Sequence, residues 1–148
     1  MAQLEATGGL ATEGLLDFFM NGRVLGPHGT AHPRMAPHGN FPCLGEDVWL
    51  SLAVASDAEW RALAEVIGEA WAADPRFADG RGRLEHRGAL ETHLAGWTRG
   101  QNAWELTRAL QGRGVAAFPV LRLEEQEKDP HFQQRGLLAE TCALGRRG

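Results

Sequence analysis

The chain has 148 residues, enough for one domain, and its composition is that of an ordinary soluble protein with 43% hydrophobic and 23% charged residues. A formal net charge of −4 argues against non-specific nucleic-acid binding, because such binding needs a basic surface that displaces counterions. No run approaches the roughly 18 apolar residues of a membrane span, and the N-terminus does not have the pattern of a secretory signal. With two cysteines, Cys43 and Cys142, we expect free thiols in a reducing cytoplasm.

Residues 1–46 are predicted to form an N-terminal helix and a linker rich in Gly, Pro and His. The helix falls within residues 1–21 and ends in an apolar stretch. Glycines before that stretch weaken it, since each costs up to about 1 kcal/mol relative to alanine in a helix interior. Such a helix needs a partner that covers its aromatic side chains. Residues 21–47 have no periodicity and are predicted to be an extended loop or linker. Within them, Asn21-Gly22 indicates either a turn or, together with Arg23, a phosphate site.

Residues 47–68 show the clearest local pattern of the chain. Larger apolar residues alternate with other side chains from Val48 to Ala55, which is the period of a β-strand. Ser56 and Glu59 have the spacing of a capping box, in which each side chain satisfies a free amide at a helix start. The apolar residues that follow recur at helical spacing, and Gly68 suits the left-handed position just after a helix end. A strand followed by a capped helix is therefore predicted here.

Two further helices are predicted in the middle of the chain. The sequence Asp74-Pro-Arg-Phe77 indicates a turn, because proline disfavours helix for the residue before it, and the turn directs its phenylalanine inward. A helix is predicted from about Leu84 to Gly96. Thr98 and Gln101 have the spacing of a second capping box, which opens a helix that reaches about Gln111.

The C-terminal part of the chain is predicted to add two strands and a short helix. Val115 to Leu121 has the pattern of a strand, in which Pro119 belongs at an edge or a bulge because proline has no amide donor. Leu123 to Lys128 is predicted to be a short acidic helix, and Leu137 to Leu144 a third strand. The predicted fold class is α/β, of the α+β type, with a short and mainly antiparallel sheet packed by helices. This small domain is predicted to span residues 47–148.

Six segments of the chain, taken in order, resemble those of a known enzyme family. They are Ala36–Cys43, Asp47–Leu50 with Ser56–Trp60, Asp74–Phe77, the helix with Arg83, Leu90, Leu94 and Trp97, Gly114–Val120, and Asp129–Gly136. Together they resemble the C-terminal part of a family III CoA-transferase, of the CaiB/BaiF family. The resemblance implies a small α/β domain that accompanies a large Rossmann-like domain in an interlaced homodimer. It also implies an acyl-CoA and a carboxylic acid as substrates, with CoA moving from the first to the second.

The resemblance implies that the catalytic nucleophile lies outside this chain. In the family, an aspartate of the large domain attacks the acyl-CoA thioester and then carries CoA as an aspartyl thioester, which divides one difficult transfer into two easier steps. The aspartates of this chain are interpreted instead as turn, cap or surface residues: Asp17, Asp47, Asp57, Asp74, Asp79 and Asp129. We therefore expect no catalytic residue here. The chain is interpreted as a fragment or a separately encoded small domain that is inactive by itself.

The glycine-bearing loop before the small domain is the place where the family's function maps onto this sequence. By resemblance, His38, Gly39 and Asn40 form a substrate-proximal loop beside the CoA thioester, where relatives have a glycine-rich flap. Gly39 allows close backbone approach to a ligand, and Asn40 can donate a hydrogen bond to a developing oxyanion. A linker without ligand contact is the alternative. Phe118 stands where relatives usually have a small residue; it either fills the core, which is our expectation, or narrows a neighbouring pocket.

The sequence leaves two other functions open. The chain is alternatively a non-catalytic binding or assembly module, which self-associates through its apolar N-terminal segment or complements a separate large-domain chain. A third hypothesis is a zinc protein in which His28, His32, His38 and Cys43 converge, although their spacing matches no standard zinc pattern. We expect no bound metal or covalent cofactor, a homodimer or a large-domain partner, no nucleic-acid or membrane partner, and a cytoplasmic location.

Overall fold

A computed structural model of the chain describes residues 3–24, 26–27 and 29–136. The chain divides into two compact units, one within residues 1–31 and the other from His32 onward. The small domain was predicted to start at residue 47. The unit that holds the sheet begins earlier, because the segment before that residue supplies one of its strands.

The described part of the N-terminal unit contains two helices, α1 (Gln3–Leu10) and α2 (Thr12–Asn21), where one was predicted. α2 ends at Gly22, whose φ of 67° lies in the left-handed region that glycine adopts without steric penalty. Asn21-Gly22 is therefore a helix stop, in agreement with the turn predicted there. The large apolar side chains of α2 are exposed: Leu15, Leu16, Phe18, Phe19 and Met20.

The second unit is built on a three-stranded antiparallel sheet with the strand order β1 (His38–Pro42), β2 (Trp49–Ala53) and β3 (Ala116–Pro119). Among the described strands, β1 and β3 are the two edges. Both edge strands end in a proline, Pro42 and Pro119, which an edge tolerates because one side of the strand needs no amide donor. The edge position predicted for Pro119 is confirmed.

The strand β1 shows that the predicted linker over residues 21–47 is wrong in its second half. Gly39 and Phe41 are buried while Asn40 between them is exposed, so this segment has the two-residue period of a strand. Glycine and proline are depleted in strands and hide this pattern in the sequence. Pairing with β2, which lies within the strand predicted from Val48 to Ala55, gives the segment its regular structure.

The helix α3 (Asp57–Ile67) follows β2 and is capped by the predicted pair Ser56 and Glu59, although Glu59 binds the amide one residue before the cap. Ser56 Oγ accepts a hydrogen bond from the Glu59 N–H at 3.2 Å, and a Glu59 carboxylate oxygen accepts one from the Ala55 N–H at 2.8 Å. Gly68 ends the helix in the left-handed region, with a φ of 66°. The side chains that α3 buries are Trp60, Leu63 and Ile67.

The helix predicted from Leu84 to Gly96 is in fact two helices, α4 (Gly80–Glu85) and α5 (Arg87–Thr98), which meet at His86. Two short 3-10 helices, Ala70–Ala73 and Pro75–Phe77, precede them and contain the predicted Asp-Pro-Arg-Phe turn.

The predicted capping box at Thr98 is wrong. Thr98 is the last residue of α5, where it is buried and its Oγ1 donates a hydrogen bond to the Leu94 carbonyl at 2.9 Å. The next helix, α6 (Ala103–Gln111), is capped by Asn102, whose Oδ1 accepts from the two backbone N–H groups that follow Ala103. A capping spacing in the sequence does not show whether its first residue is already used by the preceding helix.

A hydrophobic core lies between one face of the sheet and the helices. Its largest members are Phe41, Leu50, Leu52, Trp60, Leu63, Ile67, Phe77, Leu90, Leu94, Leu106 and Leu110. Phe77 is fully buried, as predicted from its turn. The prediction that Phe118 fills the core is wrong. β3 directs Ala117 inward and leaves Phe118 43% exposed on the other face.

The described chain ends with two short helices, α7 (Leu123–Lys128), as predicted, and α8 (Pro130–Gln134). The strand predicted from Leu137 to Leu144 lies outside the described residues. Within the part that the structure describes, no helix has the length and apolar character needed to cross a bilayer. The architecture is an α/β small domain with an open antiparallel sheet, which confirms the predicted fold class.

Candidate functional site on the outer sheet face

The face of the sheet that points away from the core carries polar side chains from β1 and β2 and an aromatic side chain from β3. Directly opposite residues of an antiparallel pair project to the same face. Asn40 pairs with Ser51, and Ser51 pairs with Phe118 on its other side, so these three exposed side chains form one row. A second row on the same face, two residues further along each strand, consists of His38, Ala53 and Ala116. We call these two rows the outer sheet face.

The three predicted site residues lie in the strand β1 and not in a loop. Asn40 faces solvent, and within the described residues its carboxamide has no hydrogen-bond partner, so its donor and acceptor atoms are open to a ligand. His38 is half-buried, and its ring centroid lies 5.2 Å from that of His32. Gly39 is buried opposite Leu52. The structure therefore brings His38 and Asn40 together on the outer sheet face, whereas Gly39 belongs to the inner face.

Two arginines hold the backbone that leads into β1, residues 32–37, which we call the lead-in segment. Arg83 of α4 is 2% exposed, and its Nε donates to the Ala36 carbonyl at 2.9 Å. Arg87 of α5 is half-buried and donates from Nη2 to two further carbonyl groups of the lead-in segment. The position of His38 and Asn40 thus depends on α4 and α5 as well as on the neighbouring strand.

Each nitrogen of the buried Arg83 guanidinium donates a hydrogen bond. Besides Ala36, its Nη1 donates to the Phe77 carbonyl at 3.1 Å and its Nη2 to Asp57 Oδ1 at 2.7 Å. The guanidinium carbon also lies 5.5 Å from the centroid of the Trp60 ring. A buried charge is tolerated only with such partners. The hydrogen bond from Arg83 lowers the pKa of Asp57 below its ordinary value, so this carboxylate stays ionised.

Each of the six aspartates has a structural partner, at the turns, caps and surface positions predicted. Three of them cap helices: Asp74, Asp79 and Asp129. The other three bind a side chain: Asp17 binds Arg23, Asp57 binds Arg83, and Asp47 binds the Trp49 indole N–H. The hydrogen bonds from Arg76 lower the pKa of Asp74 to about 2. All six are paired and none is buried, whereas a catalytic carboxylate is commonly desolvated.

The residues of the zinc hypothesis come together only in part. His28 lies outside the described residues, as does the second cysteine, Cys142. Cys43 is buried, and burial raises the pKa of its thiol, which disfavours the thiolate that binds metal. His32 Nδ1 accepts a hydrogen bond from the Arg34 N–H at 3.2 Å. Among the residues that the structure describes, no three His, Cys, Asp or Glu side chains are placed to hold a metal ion.

A cavity of about 250 Å³ lies beside the start of α6, and it contains none of the predicted site residues. Its lining includes Glu46, Trp104, Arg122 and Glu125. Two of its charged groups are already bonded: Arg122 Nη2 donates to the Glu46 carbonyl at 2.6 Å, and Glu125 accepts from the Arg122 N–H at 2.8 Å. We assign no ligand to this cavity.

Sequence reasoning missed two residues of the candidate site. Ser51 acquires its place between Asn40 and Phe118 only from the strand register, which the sequence does not give. Arg83 carried no usable signal either, because it lies in α4 and two of its acceptors, Ala36 and Asp57, are 47 and 26 residues away in sequence.

An α/β domain that contains the six segments of the sequence analysis in this order is typical of a known protein family. A profile of CoA-transferase family III matches residues 1–143, and the chain therefore belongs to that family. The chain is 36% identical over 110 residues to a probable CoA-transferase of Mycobacterium tuberculosis, covering 74% of this chain and 14% of that protein. It is 30% identical over 144 residues to a succinate–glutarate CoA-transferase of Agrobacterium fabrum, covering 97% of this chain and 36% of that protein.

A solved structure agrees with this assignment. A CaiB/BaiF family protein from Brucella suis superposes on the chain with a TM-score of 0.77 at 26% identity, over 86% of this chain and 34% of that one. The small α/β portion of the family is thus the part that this chain contains. In these comparisons the chain spans about a third or less of the length of its relatives.

Proposed function

We propose that the chain is the small-domain portion of a CoA-transferase that moves CoA from an acyl-CoA to a carboxylic acid. The observation that carries this proposal is the outer sheet face, on which Asn40 and Ser51 present polar groups with no structural task among the described residues. The family assignment supports CoA transfer in general. The curated relatives named above are CoA-transferases, one of them for succinate and glutarate.

In this proposal the outer sheet face lies beside the reacting thioester. The Asn40 carboxamide donates a hydrogen bond to the oxygen on which negative charge develops when the thioester is attacked. Phe118, next to Ser51, keeps water from that oxygen, which strengthens the hydrogen bond because the local dielectric constant falls. The nucleophile comes from the large domain, since all six aspartates of this chain are used in caps, pairs or surface bonds.

Accordingly, the chain by itself is inactive in CoA transfer, and it acts in the cytoplasm as part of a homodimer or together with a large-domain chain. The test of activity uses the purified chain with succinyl-CoA and glutarate, followed by chromatography of the CoA esters. No glutaryl-CoA is expected. Formation of glutaryl-CoA would show that the chain supplies its own nucleophile.

Ligand binding at the outer sheet face can be tested by amide NMR during titration with CoA and with succinyl-CoA. We expect weak binding with shifts concentrated at His38, Asn40 and Ser51, and weaker binding by Asn40→Ala. Gln134→Ala removes an exposed carboxamide outside the sheet and is the matched control. An absence of shifts with both ligands at millimolar concentration, or shifts confined to other elements, would contradict the proposed site.

The exposed apolar face of α2 favours a second candidate, a non-catalytic assembly module. Phe19 and Met20 are 80% and 78% exposed, and a helix with such a face gains stability when a partner covers it. Light scattering on the wild-type chain tests self-association, and Phe19→Ser should shift any dimer toward monomer. Leu123→Ser, at another exposed apolar side chain, should not. A wild-type chain that is strictly monomeric at high concentration excludes self-association.

A further inference from the structure

Arg87 binds the lead-in segment near the start of α5. Its Nη2 donates to the His32 carbonyl in a short hydrogen bond and to the Met35 carbonyl at 3.3 Å. Both acceptors are backbone groups, so the contact fixes the path of the chain and not the identity of a side chain. The two carbonyl groups belong to residues three apart in sequence. One donor group therefore holds this part of the lead-in segment against α5.

The strand β1 needs such support because its sequence and its edge position stabilise it only weakly. Within the part of the chain that the structure describes, it is an edge strand with β2 as its one neighbour; it also contains Gly39 and ends in Pro42. Two other bonds follow along the same segment, from Arg83 Nε to the Ala36 carbonyl and from the Val54 N–H to the Pro37 carbonyl. The lead-in segment is thus held at four carbonyl groups just before the first residue of β1.

We propose that Arg87 is a positioning residue, which acts through the lead-in segment to hold His38 and Asn40 in place on the outer sheet face. The inference rests on the proposed function of that face. Arg83 shares the task, but it also binds the Phe77 carbonyl and Asp57, so its removal disturbs the core. Arg87 has only the lead-in segment as its hydrogen-bond partner among the described residues, and it therefore allows a cleaner test.

The test measures amide hydrogen exchange and CoA binding in the wild-type chain and in Arg87→Met, which keeps an apolar stem and removes the donors. Losing a hydrogen bond from a charged donor changes an opening equilibrium by about tenfold or more. We expect amides of β1 to exchange about tenfold faster, amides of α6 to be unchanged, and CoA binding to weaken by a similar factor. Arg87→Lys, which retains a donor, should restore part of both effects. Arg81→Met removes an exposed arginine of α4 that binds Glu85, and it should change neither.

The outcomes separate this inference from the proposed function. If the wild-type chain shows no CoA-induced shifts, the proposed site fails, while the exchange measurement still decides whether Arg87 holds β1. If Arg87→Met leaves β1 exchange within about twofold of wild type, or accelerates α6 equally, the positioning role is overturned. It is also overturned if β1 loosens and CoA binding is unchanged.

Discussion

Arg83 and Asp57 form a hydrogen-bonded ion pair, with 2.7 Å between Nη2 and Oδ1, in which the arginine side chain is 2% exposed and the aspartate side chain 50% exposed. The pair joins α4 to the first turn of α3. Because the remaining donors of the same guanidinium bind the Ala36 and Phe77 carbonyls, one side chain connects the lead-in segment, the turn before α4 and the start of α3.

Replacing Arg83 should destabilise the second unit strongly. Arg83→Met leaves two backbone carbonyl groups without their donor in a buried site, and each such loss costs about 1–3 kcal/mol. We expect a fall in the free energy of unfolding of roughly 3 kcal/mol, measured by urea denaturation followed by tryptophan fluorescence. Asp57→Asn is the control, with a smaller loss, because Asp57 is half exposed and Arg83 keeps both carbonyl acceptors. Equal effects of the two substitutions would contradict this account.

Asp74 should make the stability of the protein depend on pH in the acidic range. Hydrogen bonds from Arg76 lower its pKa from 3.8 to about 2 in the folded state, so the native state binds fewer protons than the unfolded chain between these values. The contribution is therefore complete above about pH 4 and is lost as the pH falls through the folded pKa of about 2. Asp74→Asn should flatten the decline of the urea midpoint between pH 4 and pH 2. Arg76→Met, which removes the cause of the shift, should make the decline less steep as well, and a slope that neither substitution changes would exclude Asp74 as a contributor.

The two faces of the sheet should respond differently to truncation. Leu50→Ala creates a cavity in the core, since Leu50 is fully buried, and should cost about 2–5 kcal/mol. Phe118→Ala on the adjacent strand removes a side chain that is 43% exposed and packs edge-to-face on Trp104. It should cost about 1 kcal/mol. Urea denaturation of both variants measures the difference. A larger loss of unfolding free energy for Phe118→Ala than for Leu50→Ala would contradict the exposed position of Phe118.

The start of α6 should depend on Asn102 and not on the residues before it. Asn102 Oδ1 accepts from the N–H groups of Trp104 and Glu105 at 3.0 and 3.1 Å. Asn102→Ala should therefore lower the free energy of unfolding by about 1 kcal/mol. Gln101→Ala should change it by less than about 0.5 kcal/mol, because the Gln101 side chain has no capping role. Thermal unfolding of both variants decides between the two positions, and a greater effect of Gln101→Ala would restore the cap predicted at Thr98.

Features that depend on neighbouring residues could be predicted from the order of residue types. The capping box at Ser56 and Glu59, the stop at Gly68 and the inward turn of Phe77 follow from hydrogen bonds and steric limits within a few residues. The ordered resemblance of six segments also identified the family correctly. These features are predictable because their partners lie close along the chain.

Features that depend on partners far apart in sequence emerge only in the folded protein. β1 is a strand because β2 pairs with it, although its glycine and prolines suggested a linker. Phe118 is exposed because the register turns Ala117 inward, and Arg83 is buried because acceptors at Ala36, Asp57 and Phe77 surround it. A pattern of residue types carries no record of strand register or of distant acceptors, since both arise only when the elements pack against one another.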